Sequence, residues 1–191
     1  MSNAPKMSHC SAAWRRINPH RVRILPAPDR RKSAYAHWLG LESSMTRELA
    51  WRFGAMPDVV PTFEGAGRLA PWESTLLGTP ARRGYVREVR LEVRGMPVLA
   101  ARTVSGFANP AVDVLRRLSN RPLAEVLFDD ARWQRVPPTG PLLDPESQRV
   151  GRVCVWRFGS RKNHRILVCE YFSPLLCVHA TLRETVPASG R

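Results

Sequence analysis

The segment from Gly84 to Val104, GYVREVRLEVRGMPVLAARTV, constrains the fold more than any other stretch, because it carries a strand, a turn at Arg94-Gly95 and a second strand. Alternation of period two places Tyr85, Arg87, Val89, Leu91 and Val93 on one face, with Val86, Glu88, Arg90, Glu92 and Arg94 on the other. Arg87 therefore stands in the apolar row. A two-residue turn at Arg94-Gly95 sets Val93 opposite Met96, Leu91 opposite Val98, Val89 opposite Ala100, and Arg87 opposite Arg102. Two guanidiniums facing each other across an apolar surface repel and cannot shed their protons, so anions must complete the arrangement. A ligand with two carboxylates is one way to do so. The other is a register displaced by one residue, or arginines that snorkel to the rim or pair with an internal acid such as Glu88.

The last strand holds a matching anomaly. Ile166, Val168, Glu170 and Phe172 share a face, so Glu170 is a carboxylate in an apolar row. It either pairs internally with Arg87 or Arg102, or joins them in a pocket for a small anion. Around these strands the pattern is mixed. Ser33 to Gly54 has helical spacing through Trp38, Leu41, Met45, Leu49 and Phe53, with Ser44 placed to cap a second helix whose free N–H groups lie around Met45. A helix opens at Asn109-Pro110, a shorter one covers Pro122 to Leu127, and strands are expected at Val59–Phe63, Ala131–Val136 and Val150–Phe158. Pro137 to Gln148 reads as a loop because of its four prolines and a glycine.

The 191 residues suit one domain with flanking tails. The formal charge of +14 would ordinarily suggest a polyanionic partner, yet half of it lies in residues 1–32, where eight basic residues face only Asp29. The expected organisation is a basic flexible leader at 1–32, a folded domain at 33–177 and a loose tail at 178–191. No apolar run is long enough to span a bilayer, and the leader lacks the hydrophobic middle of a secretory signal. Cys10, Cys154, Cys169 and Cys177 form no CxxC pair or zinc-like group, which reads as reduced thiols in a cytoplasm. The five histidines are scattered, and no phosphate-loop, GxSxG or HExxH pattern occurs.

Four ordered blocks, WLGLESSMTRELAWRFG, YVREVRLEVRGMPVLAARTV, NRPLAEVLF and ILVCEYFSPLL, together resemble the bacterial chorismate pyruvate-lyase family from about Trp38 to Leu176. The resemblance implies a single α+β domain whose antiparallel sheet is flanked by helices, with the ligand enclosed between sheet and helical flaps. It also implies conversion of chorismate to 4-hydroxybenzoate and pyruvate, the first committed step of ubiquinone biosynthesis, without metal or organic cofactor; a cytoplasmic monomer is the expected form. The family's ligand-contacting positions fall on Met45, Arg87, Leu123 and Glu170, and Arg102 matches a second family arginine. Arg87, Arg102 and Glu170 are then the expected catalytic set, the two arginines holding the two carboxylates. Leu123 comes from the resemblance alone. The basic leader, the long Pro137–Arg149 connection and the tail depart from the family pattern. Two other classes fit parts of the chain: a non-catalytic effector-binding domain of the same fold, and a nucleic-acid-binding protein using the basic arm.

Overall fold

The computed structural model describes residues 16–25, 34–160 and 164–177, with the backbone alone at 137–139. Its strands are β1 (Arg23–Ile24), β2 (Asp58–Arg68), β3 (Arg83–Val93), β4 (Met96–Ser105), β5 (Trp133–Asp144), β6 (Arg149–Phe158) and β7 (Arg165–Phe172). The helices are α1 (Ala36–Gly40), α2 (Met45–Phe53), α3 (Pro71–Leu77), α4 (Ala111–Arg116) and α5 (Leu123–Asp129). All strand pairings are antiparallel, in the order β1-β5-β6-β7-β4-β3-β2, so the class is α+β as expected. No helix among the described residues is long and apolar enough to cross a membrane.

The β3–β4 hairpin turns where expected. Arg94 (φ 52°) and Gly95 (φ 73°) both take left-handed conformations, the geometry of the tight turn that matches strand twist. Val93 pairs with Met96, but the register then shifts: Leu91 pairs with Leu99, Glu88 with Arg102 and Arg87 with Thr103. The expected facing of Arg87 and Arg102 is therefore corrected. A bulge between Leu91 and Glu92 takes up one extra residue on β4 next to Pro97, which has no N–H to give to a ladder. Because side chains alternate, a one-residue slip sends Arg102 to the other face of the sheet.

Three further expectations change. Strand β2 continues through Gly65 and Gly67, and a Cβ at Gly67 would lie 2.6 Å from Val86 Cγ2. Of the proline-rich stretch expected as a loop, Pro137 to Asp144 belong to β5, whose pairing with β6 shifts register between Val136 and Gly140, and 145–148 form the turn between the two strands. The bulge accommodates Pro137 and Pro138 without requiring donors from them. The leader is also shorter than composition suggested: β1 pairs with the end of β5, Val22 is buried, and the Trp72 indole donates to the Pro19 carbonyl at 2.9 Å. Residues 1–15 and the tail at 178–191 lie outside the described residues.

The two sheet faces are covered differently. On one, Val86, Val104, Val153, Val155, Leu167, Cys169 and Tyr171 pack with Leu69, Leu77 and Val22. On the other, α1 and α2 form a cluster with Val89, Leu91, Leu99 and Phe172, while α4 and α5 form a separate one with Tyr85, Cys154, Trp156, Ile166 and Val168. These two helical covers share one sheet face and leave a seam between them.

Candidate active site

The seam is where the misplaced polar residues lie. Arg87 stands between Tyr85 of one cluster and Val89 of the other, and Glu170 between Val168 and Phe172. Arg152, on β6, has Cys154 of the second cluster on one side and Val150, packed against the first, on the other. A polar band thus crosses the sheet where neither helical layer supplies apolar cover, and it lines a cavity closed above by Met45 and Thr46 of α2 and Leu123 and Ala124 of α5. Met45, Arg87, Leu123 and Glu170 all line this cavity. Arg102 does not.

Each helix presents its beginning to the cavity. Ser44 caps α2, its Oγ accepting from the Arg47 N–H at 3.3 Å, and the first intrahelical bond runs from the Glu48 N–H to the Ser44 carbonyl at 3.0 Å. The N–H groups of Met45 and Thr46 precede that bond and are not consumed by the helix. At α5 the Glu125 N–H donates to the Pro122 carbonyl at 3.3 Å, which leaves the N–H groups of Leu123 and Ala124 in the same position. Both ends add positive potential.

Arg87 is 2 % exposed. Its Nη2 donates to the carbonyls of Ser119 (2.6 Å) and Arg121 (3.3 Å) in the α4–α5 link, which fixes the guanidinium plane. Nε has no hydrogen-bond partner, and the nearest carboxylate oxygen, Glu64 Oε2, is 3.9 Å away. Burial lowers the pKa of Arg87 from the ordinary arginine value, and Glu64, which also accepts from the Tyr85 hydroxyl, only partly offsets this. An arginine stays charged even so, and a buried cation with an orphan donor is poised for an anion.

Glu170 pairs with its cross-strand neighbour Arg152, whose Nε donates to Glu170 Oε2 at 2.5 Å. Arg152 Nη1 in turn donates to the carbonyls of Trp38 (3.1 Å) and Leu41, at the end of α1. Burial by itself would lower the pKa of Arg152, but Glu170 outweighs it and holds the guanidinium more firmly protonated than usual. The sheet floor and the α1–α2 cover are thus tied together through one buried ion pair. Arg135 of β5 also reaches the cavity, with Nη1 on the Leu41 carbonyl (3.3 Å) and Nη2 on Cys154 Sγ (3.1 Å).

On the opposite face Arg102 is occupied. It donates to Glu73 Oε1 (2.8 Å) and Oε2 (3.2 Å), to Glu88 Oε1 (2.7 Å) and to the Arg68 carbonyl (2.9 Å). Burial would lower its pKa, yet the two carboxylates hold it above the usual value. Glu73 is fully buried and also accepts from the Ala70 N–H at the start of α3, so this cluster fastens α3 to the sheet. The expected catalytic place for Arg102 is not where the fold puts it.

Sequence reasoning missed Arg152 and Arg135. Arg152 had the same mark as Glu170, a charge in the row Val150, Cys154, Trp156 and Phe158, and it is the residue directly opposite Glu170. Arg135 carried no such mark, because its strand was cut short at Val136.

Comparison with known proteins gives the family. The family model described as chorismate lyase matches residues 20–176. A probable chorismate pyruvate-lyase of Marinobacter nauticus is 34 % identical over 143 residues, covering 73 % of this chain and 76 % of that protein. Proteins of Pseudomonas entomophila, a probable chorismate pyruvate-lyase 2, and of Pseudomonas putida KT2440, a probable chorismate pyruvate-lyase, are each 38 % identical over 149 residues, 73 % of this chain and 80 % of theirs. A solved structure of the possible transcriptional regulator YydK from Bacillus subtilis overlaps 63 % of this chain and 58 % of its own, with a TM-score of 0.43 and 6 % identity, too distant to carry an argument. On the extent of the family match and the identity of these relatives, the chain belongs to the chorismate lyase family.

Proposed function

We propose that the protein is a chorismate pyruvate-lyase that forms 4-hydroxybenzoate and pyruvate at the seam cavity, as the first step toward ubiquinone. The observation that carries this reading is the buried, under-compensated Arg87 sharing one cavity with Glu170 inside apolar walls. Chorismate is a dianion whose ring bears a carboxylate at one end and, at the other, a hydroxyl beside an enolpyruvyl ether. Arg87 takes the ring carboxylate through its free Nε–H, assisted by the N–H groups at the starts of α2 and α5. Glu170 Oε1, which accepts no hydrogen bond among the described residues, takes the ring hydroxyl.

The reaction is redox-neutral and needs no electron carrier. The ether C–O bond breaks, the adjacent hydroxyl-bearing carbon loses its hydrogen, and that electron pair closes the aromatic ring. The proton passes within the substrate to the methylene carbon of the departing enol, which leaves as pyruvate. Glu170 orients the ring for this transfer, and the dry walls strengthen every charge contact with it. Arg152 holds Glu170 in place from behind.

Incubation of the purified protein with chorismate should produce the ultraviolet absorbance of 4-hydroxybenzoate together with an equimolar amount of pyruvate, measured by coupled reduction. A folded sample that yields neither would falsify the assignment.

A further inference from the structure

We infer that Arg135 binds the second, enolpyruvyl carboxylate of the substrate, so that it selects the dianion over the monoanionic product; this rests on the lyase reading of the cavity. With Arg102 on the other face, that carboxylate needs a partner, and the charge balance of the cavity identifies one. Three guanidiniums line it, and Glu170 is matched to Arg152. Arg87, with Glu64 at 3.9 Å, is assigned to the ring carboxylate, and Arg135 is left with no carboxylate among the described residues.

The surroundings of Arg135 suit this role. Its two described contacts are the Leu41 carbonyl at 3.3 Å and the Cys154 thiol, both uncharged, and no carboxylate pairs with it among the described residues. Burial raises the pKa of the Cys154 thiol, with Arg152 and Arg135 opposing, so that sulfur is a neutral neighbour rather than a counter-ion. Exchanging a long carbonyl contact and a thiol contact for a charge-assisted pair with a carboxylate is favourable. Arg135 is also only half-buried, against the enclosed Arg87, so a carboxylate can reach it without a closed wall having to open.

Spacing supports the pairing. β5 and β3 are separated by β6, β7 and β4, four strand intervals or roughly 19 Å of backbone. Two arginine side chains reaching into one cavity from those strands leave room for a single substituted ring between them. After cleavage the enolpyruvyl carboxylate departs with pyruvate, and 4-hydroxybenzoate keeps only the group assigned to Arg87.

The test compares substrate with product in Arg135→Gln and Arg135→Lys. In Arg135→Gln, KM for chorismate should rise by about ten- to a hundredfold, the loss of one charged hydrogen-bonded partner. The Kd of 4-hydroxybenzoate, measured by calorimetry, should stay within about twofold of wild type, because the product lacks the group that Arg135 holds. Arg135→Lys, which keeps the charge, should recover part of the chorismate affinity. An unchanged KM in Arg135→Gln, or a parallel loss of product affinity, would overturn the inference while leaving the lyase reading standing. A wild-type protein that binds 4-hydroxybenzoate but releases no pyruvate from chorismate would overturn both.

Discussion

Arg87 and Arg102 come from one hairpin and are almost equally buried, yet their surroundings assign them opposite tasks. Arg102 spends its donors on Glu73, Glu88 and a carbonyl, whereas Arg87 has carbonyls on one side and an unpartnered Nε on the other. A buried charge with matched partners is structure, and one without is a site. Replacing Glu73 by Ala leaves Arg102 with Glu88 and the Arg68 carbonyl but takes one carboxylate from it and the acceptor from the Ala70 N–H, so unfolding in urea should show a loss of about 1–3 kcal/mol. The folded fraction should still bind 4-hydroxybenzoate as wild type does. Loss of binding with stability intact would return the Arg102 face to the site. At this scale the sequence was legible wherever a charge interrupted an apolar row, as at Arg87 and Glu170. Arg152 interrupts a row in the same way, and recognising it required knowing that β6 lies beside β7.

Among the elements, turns and helix ends followed from residue type, and strand extent and register did not. The Arg94-Gly95 turn, the Ser44 cap and the Gly54 end of α2 (φ 65°) are local events fixed by residue type. The bulges at Leu91/Glu92 and Val136/Gly140 are set by pairing with distant strands, and they decided the place of Arg102 and the extent of β5. Gly151 shows how closely β6 must approach β7 beside the Arg152–Glu170 pair. A Cβ there would lie 2.2 Å from the Glu170 carbonyl oxygen and 3.0 Å from Tyr171 Cδ1, which backbone cannot absorb. Gly151→Ala should therefore push the two strands apart, lowering stability by about 1–3 kcal/mol. It should also weaken 4-hydroxybenzoate binding, because the displaced strands carry both Glu170 and Arg152. Wild-type stability and affinity in that variant would mean the strands are not packed as closely as described.

For the whole molecule, one sheet serves two purposes. The face covered by α3 and residues 16–25 carries an apolar cluster beside a buried ion cluster, and the face covered by two separate helical layers keeps a seam. The α+β class was legible through the resemblance of the four ordered blocks to a known family. The division of one face between two helix pairs could not, since it depends on how α1–α2 and α4–α5 settle on the sheet. Composition also misled about the leader, because basic residues around Val22 do not prevent β1 from pairing with β5. The central claim is that the seam, with Arg87 at its closed end, holds the aromatic acid. Calorimetric titration of 4-hydroxybenzoate into wild type and Arg87→Met tests it most directly. The account predicts one site per chain in wild type and an affinity at least about tenfold weaker in Arg87→Met, as expected for a lost charged partner in a desolvated pocket. Equal affinity in both proteins, with the variant folded, would place the ligand elsewhere and contradict it.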